Sequence, residues 1–224
     1  MAKQSKPLVI FGAGQIAELA WFYFTNDSSY QPIAFTVDRE FIDGRDFCGL
    51  PVVPFEEMTQ FYKAEDIDVF VALSYAKVNA LRTQKVQEVR AAGYRTASYV
   101  SSRATVFPDF AVGGNCFILE DNTIQPFAKI GDNVTLWSGN HIGHHSVIED
   151  NCFISSHVVI SGGVRVGAGT FIGVNSTVRD HVSIGERCVL GAGSLITADT
   201  EPEGVYHAPA SERARVPSSR LRSI

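Results

Sequence analysis

From Val106 onward an aliphatic residue recurs at every sixth position: Val106, Val112, Ile118, Ile124, Ile130, Leu136, Ile142, Ile148, Ile154, Ile160, Val166, Ile172, Val178, Ile184, Leu190 and Ile196. Two positions before many of these stands a small or modest residue, among them Ala104, Cys116, Ala128, Val134, Ser146, Cys152, Thr170, Ser176, Cys188 and Ser194. Residues two apart on a strand point the same way, so both sets face one interior. The residue after the aliphatic one is often glycine, as at Gly113, Gly131, Gly143, Gly167, Gly173, Gly185 and Gly191, which suits a turn with unusual backbone angles or a close approach. A chain that buries one aliphatic residue in six and turns after each closes a triangular coil every eighteen residues, which predicts a left-handed parallel β-helix of hexapeptide repeats. A β-sandwich also uses regular strands, but nothing in a sandwich holds a single phase of six over so long a stretch.

Ahead of the repeat the texture is different. Leu8 to Phe11 reads as a buried strand, Gly12-Ala13-Gly14 as a tight turn and Gln15 to Phe24 as a helix. Pro32 to Val37 and Asp68 to Leu73 read as further strands, and Val78 to Ala92 as a helix stopped by Gly93. Strands alternating with helices predict a small parallel α/β, Rossmann-like domain. The expected division is an α/β domain over 1–100, the β-helix over 101–204 and a polar tail over 205–224 that carries Arg213, Arg215, Arg220 and Arg222.

Stacking the coils at roughly 4.8 Å makes residues eighteen apart neighbours. Cys116, Val134, Cys152, Thr170 and Cys188 then share one interior column, and cysteines two coils apart, on the order of 9 to 10 Å, are too distant to bridge. Cys48 stands alone. A net charge of −5 with no run of Lys or Arg argues against nucleic acid as a partner. The apolar run near the N-terminus is too short for a signal-peptide core or a membrane span, and a cytoplasmic protein is expected.

Two constellations carry chemistry. Gly12-Ala13-Gly14-Gln15-Ile16-Ala17 fits the G-x-G-x-x-G/A turn between a strand and a helix, and Asp38 ends the next strand. Such a turn brings phosphate to backbone amides at a helix N-terminus, and Asp38 can accept hydrogen bonds from a sugar or base. The residues alone leave NAD, another nucleotide and a purely structural turn open. The second constellation is Asn140-His141-Ile142-Gly143-His144-His145-Ser146, with three of the six histidines around one corner of the β-helix. Histidine near its own pKa can take a proton from an attacking amine or hydroxyl; three histidines can also bind zinc, or can simply be solvated. One coil above His144 and His145 stand Gly162 and Gly163, and one coil above those stand Asp180 and His181. Side chains vanish between two polar ledges, which predicts a groove where an extended cofactor arm lies on backbone amides.

With these features in place the chain resembles the bacterial sugar acyltransferases of the sialic acid O-acetyltransferase type, and is similar in plan to the UDP-4-amino-sugar and GDP-perosamine N-acetyltransferases. The resemblance rests on the small α/β domain, on Gly139-Asn140-His141-Ile142-Gly143-His144-His145-Ser146 within an uninterrupted repeat, and on Val205-Tyr206-His207-Ala208-Pro209-Ala210. It implies an enzyme of surface-polysaccharide synthesis, acting as a homotrimer with acetyl-CoA as cosubstrate and no metal. It implies that Gly12, Gly14, Gln15 and Asp38 meet a nucleotide sugar, and that Ser161, Gly162, Gly163, His181, Gly191 and Arg213 meet acetyl-CoA between neighbouring β-helices. It makes His144 the general base. Where relatives often carry glutamate beside the base, this chain has His145, with His141, Asp180 and His181 as other candidates for the orienting group. Relatives' Gly-x-Gly-Gly-His loop appears here without its histidine, and their Gly-x-Pro-Ala-Lys ending appears as His207-Ala208-Pro209-Ala210-Ser211, leaving Arg213 or Arg215 as the cation for CoA phosphates. O-acetylation of a sugar hydroxyl, a non-catalytic sugar-nucleotide or CoA-binding trimer, and a structural solenoid are the rival readings.

Overall fold

The computed structural model describes residues 5–44, 46–108, 110–213 and 217–220. The N-terminal part is a six-stranded sheet of β1 (Lys6–Phe11), β2 (Tyr30–Val37), β3 (Asp46–Phe47), β4 (Leu50–Pro54), β5 (Asp68–Val71) and β6 (Arg95–Thr96), in the order β3-β4-β2-β1-β5-β6. Every pairing is parallel except β3 with β4. Alternation within β1 explains its unbroken apolar run. Leu8 and Ile10 pack with Ala17, Ala20 and Phe24 of α1 (Gln15–Asn26), whereas Val9 and Phe11 pack with Val86 and Val89 of α3 (Ala80–Ala91). A shorter helix, α2 (Met58–Phe61), closes the second core with Met58.

The repeat forms a parallel β-helix of two-residue strands stacked into three sheets. The first face holds Phe117–Ile118, Thr135–Leu136, Phe153–Ile154, Phe171–Ile172 and Val189–Leu190. The second holds Thr123–Ile124, His141–Ile142, Val159–Ile160, Thr177–Val178 and Leu195–Ile196. The third holds Lys129–Ile130, Val147–Ile148, Arg165–Val166 and Ser183–Ile184. Every register step is eighteen residues, and the aliphatic positions from Ile118 to Ile196 are buried. Cys116, Cys152 and Cys188 are buried and unbridged, and burial pushes the Cys116 and Cys152 thiols up to about 12, so both stay protonated.

The structure corrects three features of the pattern. Val106 is 38% exposed, because the first coil has nothing beneath it and its second and third sides join the next coil through the isolated bridges Thr105↔Thr123 and Val112↔Ile130 alone. The first face also extends beyond the repeat at both ends, with β7 (Tyr99–Val100) pairing to Phe117–Ile118 and Val205–Tyr206 pairing to Val189–Leu190. Finally, the glycine after each aliphatic residue is not the left-handed position. A Cβ on Gly143 would stand 2.5 Å from the Gly162 nitrogen, so glycine there allows the coils to approach. The left-handed corner lies two residues later, with positive φ at Asn115, Asp121, Phe127, Asn133, Gly139, His145, Asn151, His157, Gly163, Gly169, Asn175, His181, Arg187 and Gly193. Asn, Asp and Gly tolerate that conformation best, which accounts for much of the corner composition.

The α/β domain lies against the first face and against the corner that precedes it. Phe117 and Leu119 join the α1-side core, and Tyr75, in the loop after β5, packs on Phe153 and Phe171 at centroid distances of 5.1 and 4.7 Å. At the corner, Asn115, Asn133 and Asn151 form a ladder of amide hydrogen bonds of 2.9 and 2.8 Å. Asn115 also continues the edge of β5, accepting from the Val71 N–H at 2.7 Å and donating to its carbonyl at 3.2 Å.

Arg82 of α3 is 1% exposed and reaches into this ladder. Its guanidinium donates to Asn133 Oδ1, Thr135 Oγ1 and the carbonyls of Asn133, Asn151 and Cys152, all between 3.1 and 3.2 Å. Helix α3 starts at Ala80, later than the sequence pattern predicts, because Lys77, Val78 and Asn79 all take left-handed backbone angles. That turn delivers the Asn79 amide to the Gly169 carbonyl at 3.0 Å.

Candidate active site

A triangular coil has a corner opposite each face. Residues 143–146 link the second face to the third, so the His144 corner is the one opposite the first face, where the α/β domain sits. The backbone N–H of His144 donates to Gln125 Oε1 of the coil below at 2.9 Å. His144 Nδ1 stands 3.1 Å from His145 Nδ1, and both side chains are exposed. A contact between two ring nitrogens needs one proton between them, so one imidazole donates and the other accepts. The His145 ring in turn packs on Phe127, with centroids 4.7 Å apart.

The two glycines above are filled, not vacant. A Cβ on Gly162 would stand 2.6 Å from His144 Cε1 and 2.7 Å from its Nε2, and a Cβ on Gly163 would stand 2.5 Å from His181 Nδ1. Imidazoles from adjacent coils therefore occupy the space that sequence spacing suggested as a groove. The Gly163 amide is also taken, donating to the His144 carbonyl at 2.8 Å, so it is not free for a cofactor arm. Glycine at these positions makes room for histidine.

The corner thus gathers His144, His145, Ser161, Gly162, Gly163 and His181. His141 lies instead on the flat of the second face, half-buried between Thr123 and Val159. Gly191 follows a first-face strand and so belongs to a different corner, with its amide bonded to the Tyr206 carbonyl at 2.7 Å. Arg213 is exposed beyond the last strand, and Arg215 and Arg222 lie outside the described residues. Gln125 and Phe127 were missed by the sequence reading, yet the same eighteen-residue step taken downward from Gly143 and His145 names both. Among the described residues no group of three or more His, Cys, Asp or Glu side chains is placed to hold a metal ion.

The other constellation, the Gly12 to Ala17 turn with Asp38, sits in the α/β domain. The strand order reverses between β1 and β5, and the crevice beside that switch point is where open α/β sheets take ligands. Gly12 is required here, since its φ is +126° and a Cβ would stand 2.9 Å from the Ala72 carbonyl oxygen. The crevice lies against the β-helix itself, lined by Ile16, Ala72, Leu73, Trp137 and Phe153, and its free volume of about 10 Å³ holds no more than one water. What a larger ligand can reach is the exposed rim of Ala13, Gly14 and Gln15 at the N-terminus of α1. Asp38 is ion-paired with Lys85 at 2.8 Å. Burial alone would depress the Lys85 ammonium, but Asp38 and Glu88 outweigh it and raise its pKa.

Residues 127–162 and 163–198 each match the family described as bacterial transferase hexapeptide (six repeats). No curated protein matches the chain. Among solved structures, the acetyltransferase domain of PglB from Neisseria gonorrhoeae, in complex with acetyl coenzyme A, is similar with a TM-score of 0.78 and 22% identity over 89% of this chain and 94% of that one. A histidine-to-asparagine variant of perosamine N-acetyltransferase from Caulobacter crescentus, in complex with CoA and GDP-perosamine, gives 0.79 and 23% over 89% and 92%. WeeI from Acinetobacter baumannii gives 0.76 and 16% over 90% and 96%. At these identities the likeness establishes a shared fold over nearly the whole chain.

Proposed function

We propose that this chain, whose β-helix carries the bacterial transferase hexapeptide repeat, transfers the acetyl group of acetyl-CoA to the amine of a nucleotide-linked amino sugar, with His144 as general base. The observation that carries this reading is the contact of 3.1 Å between His144 Nδ1 and His145 Nδ1 at an exposed corner. If His144 donates its Nδ1 proton to His145, Nε2 of His144 is left unprotonated and free to accept. His145 is then the orienting group, a neutral acceptor at the position where the family resemblance implies glutamate. The sugar nitrogen attacks the thioester carbonyl, the N–C bond forms and the C–S bond breaks, and the amine proton passes to His144 Nε2 and on to the CoA sulfur. Solved relatives of the same fold that bind acetyl-CoA, or CoA with GDP-perosamine, support the substrate classes.

The position of the corner supports a homotrimer. The α/β domain covers the first face of its own β-helix, opposite His144, so a sugar held by Ala13, Gly14 and Gln15 meets a histidine of another protomer. Ser161, Gly162, Gly163 and His181 on one chain, with Gly191 on a different corner of its neighbour, fit acetyl-CoA lying between two helices better than along one. Arg213 beyond the last strand is the cation we assign to CoA phosphates. No described helix is long and apolar enough to cross a membrane. We place the reaction in the cytoplasm.

Thermal stabilisation by acetyl-CoA, and by one of the UDP-, GDP- or dTDP-linked amino sugars, is the expected result of a melting assay, because a ligand that binds the native state raises its melting temperature. No shift with acetyl-CoA at millimolar concentration overturns the proposal. A second expectation follows from the filled glycine. Gly162→Ala places a methyl group where the His144 ring lies, and the flexible side chain must swing away. The fold survives, and turnover falls at least about tenfold, the smaller end of what a positioned base contributes. Steady-state CoA release beside a circular-dichroism spectrum checks both halves.

A further inference from the structure

Phe127 is the residue at this corner that the fold does not explain. Among the described left-handed corners of the β-helix, the others carry Asn, Asp, His, Gly, Arg or Glu, whereas Phe127 holds φ +68° with an aromatic side chain that is 72% exposed. A bulky residue in that conformation is strained, and an exposed ring recovers little by packing. Strain combined with exposed apolar surface accumulates at binding sites.

Resting on the acetyl-transfer reading, we propose that Phe127 is the platform on which the acceptor sugar stacks, presenting its amine to His144. Three observations converge. The Phe127 ring lies 4.7 Å from the His145 ring, whose Nδ1 is 3.1 Å from that of His144, so the platform is two rings from the base. Phe127 walls a cavity of about 520 Å³ with Phe107, Phe110, Pro126, Gln125 and Lys129. That volume is in the range of small-molecule sites, roughly 300–1,000 Å³. Gln125, on the same wall, holds the His144 amide at 2.9 Å, which ties the cavity directly to the base. The lining is also suited in kind. A pyranose ring has a face of C–H groups for an aromatic ring and a rim of hydroxyls for Gln125 and Lys129. A flat patch covered by another protomer needs no such concave, mixed lining.

The test is Phe127→Asn beside Phe127→Tyr, with GDP-perosamine and UDP- and dTDP-linked 4-amino sugars as acceptors. Asparagine suits the left-handed corner, so Phe127→Asn should melt about 2–4 °C higher. Its KM for the sugar should rise tenfold or more, while KM for acetyl-CoA stays within twofold. Phe127→Tyr, which keeps the ring, should stay near the wild-type KM for sugar. Higher stability with weaker sugar binding is a pair that a purely structural role does not produce. An unchanged sugar KM in Phe127→Asn overturns the platform alone, as does dissociation of the oligomer in light scattering, which makes Phe127 a subunit contact. Absence of CoA release by the wild-type protein with every acceptor overturns the transfer reading and the platform with it.

Discussion

Replacing His144 with alanine should lower turnover by about 10²–10⁴-fold, the usual contribution of a positioned general base, while acetyl-CoA still raises the melting temperature. The two readouts separate chemistry from folding, because His144 is exposed, its ring rests on Gly162 and His145, and its bond to Gln125 is made by the backbone N–H that alanine keeps. On the proposed roles His145→Ala should give a smaller loss, since it would remove the acceptor for Nδ1 and free the His144 ring to rotate without removing the base. His145→Glu restores an acceptor and should recover part of that loss. Near-normal turnover in His144→Ala would refute its assignment, and equal, complete losses in both single variants would make the pair the base, not His144 alone.

The largest effect on stability is expected at Arg82. Burial depresses its pKa to about 10, still well above neutrality, so the guanidinium is cationic at pH 7. Among the described residues no carboxylate is a hydrogen-bond partner of Arg82; its charge is spread over five carbonyl, amide and hydroxyl oxygens of the β-helix corner. Arg82→Ala removes every donor at once and leaves those acceptors dry, at a cost of about 3–5 kcal/mol, as when one side of a buried polar pair is deleted. For a chain of this size that corresponds to a melting temperature lower by on the order of 10 °C. Arg82→Lys supplies a single point charge on a flexible stem and should recover only part of the loss. A melting temperature within a degree of wild type for Arg82→Ala would mean that water or a shifted Asn133 takes over the donors. Because these bonds pin the α/β domain to the first face, limited proteolysis should also cut Arg82→Ala faster than wild type, first at the exposed Ser102 and Arg103.

Arg82 marks how far a linear reading reaches. It is in phase with Val86 and Val89 on the buried side of α3, where an apolar residue is the ordinary choice, and that mismatch is the one signal the chain offers. The partners, however, lie 51 to 70 residues away, at a corner whose rows of asparagine look like ordinary turn residues. Glycine gives a parallel case. Spacing alone marks Gly162 and Gly163 as missing side chains, but whether the space is a groove or a socket depends on which way His144 and His181 turn, and both turn into it.

By itself the sequence determined the six-residue step, the eighteen-residue register, the interior cysteines, the alternating elements of the α/β domain and the corner that holds His144 and His145. All of these follow from local rules of strand alternation and repeat closure, which depend on neighbours along the chain or a fixed number of residues away. Only the tertiary structure decided that the α/β domain takes the face opposite that corner, that its crevice is closed by its own β-helix, and that Gln125 and Phe127 stand beside the histidines. Those outcomes depend on side-chain directions and on how two separately folded parts dock, and neither has a period that a sequence can display.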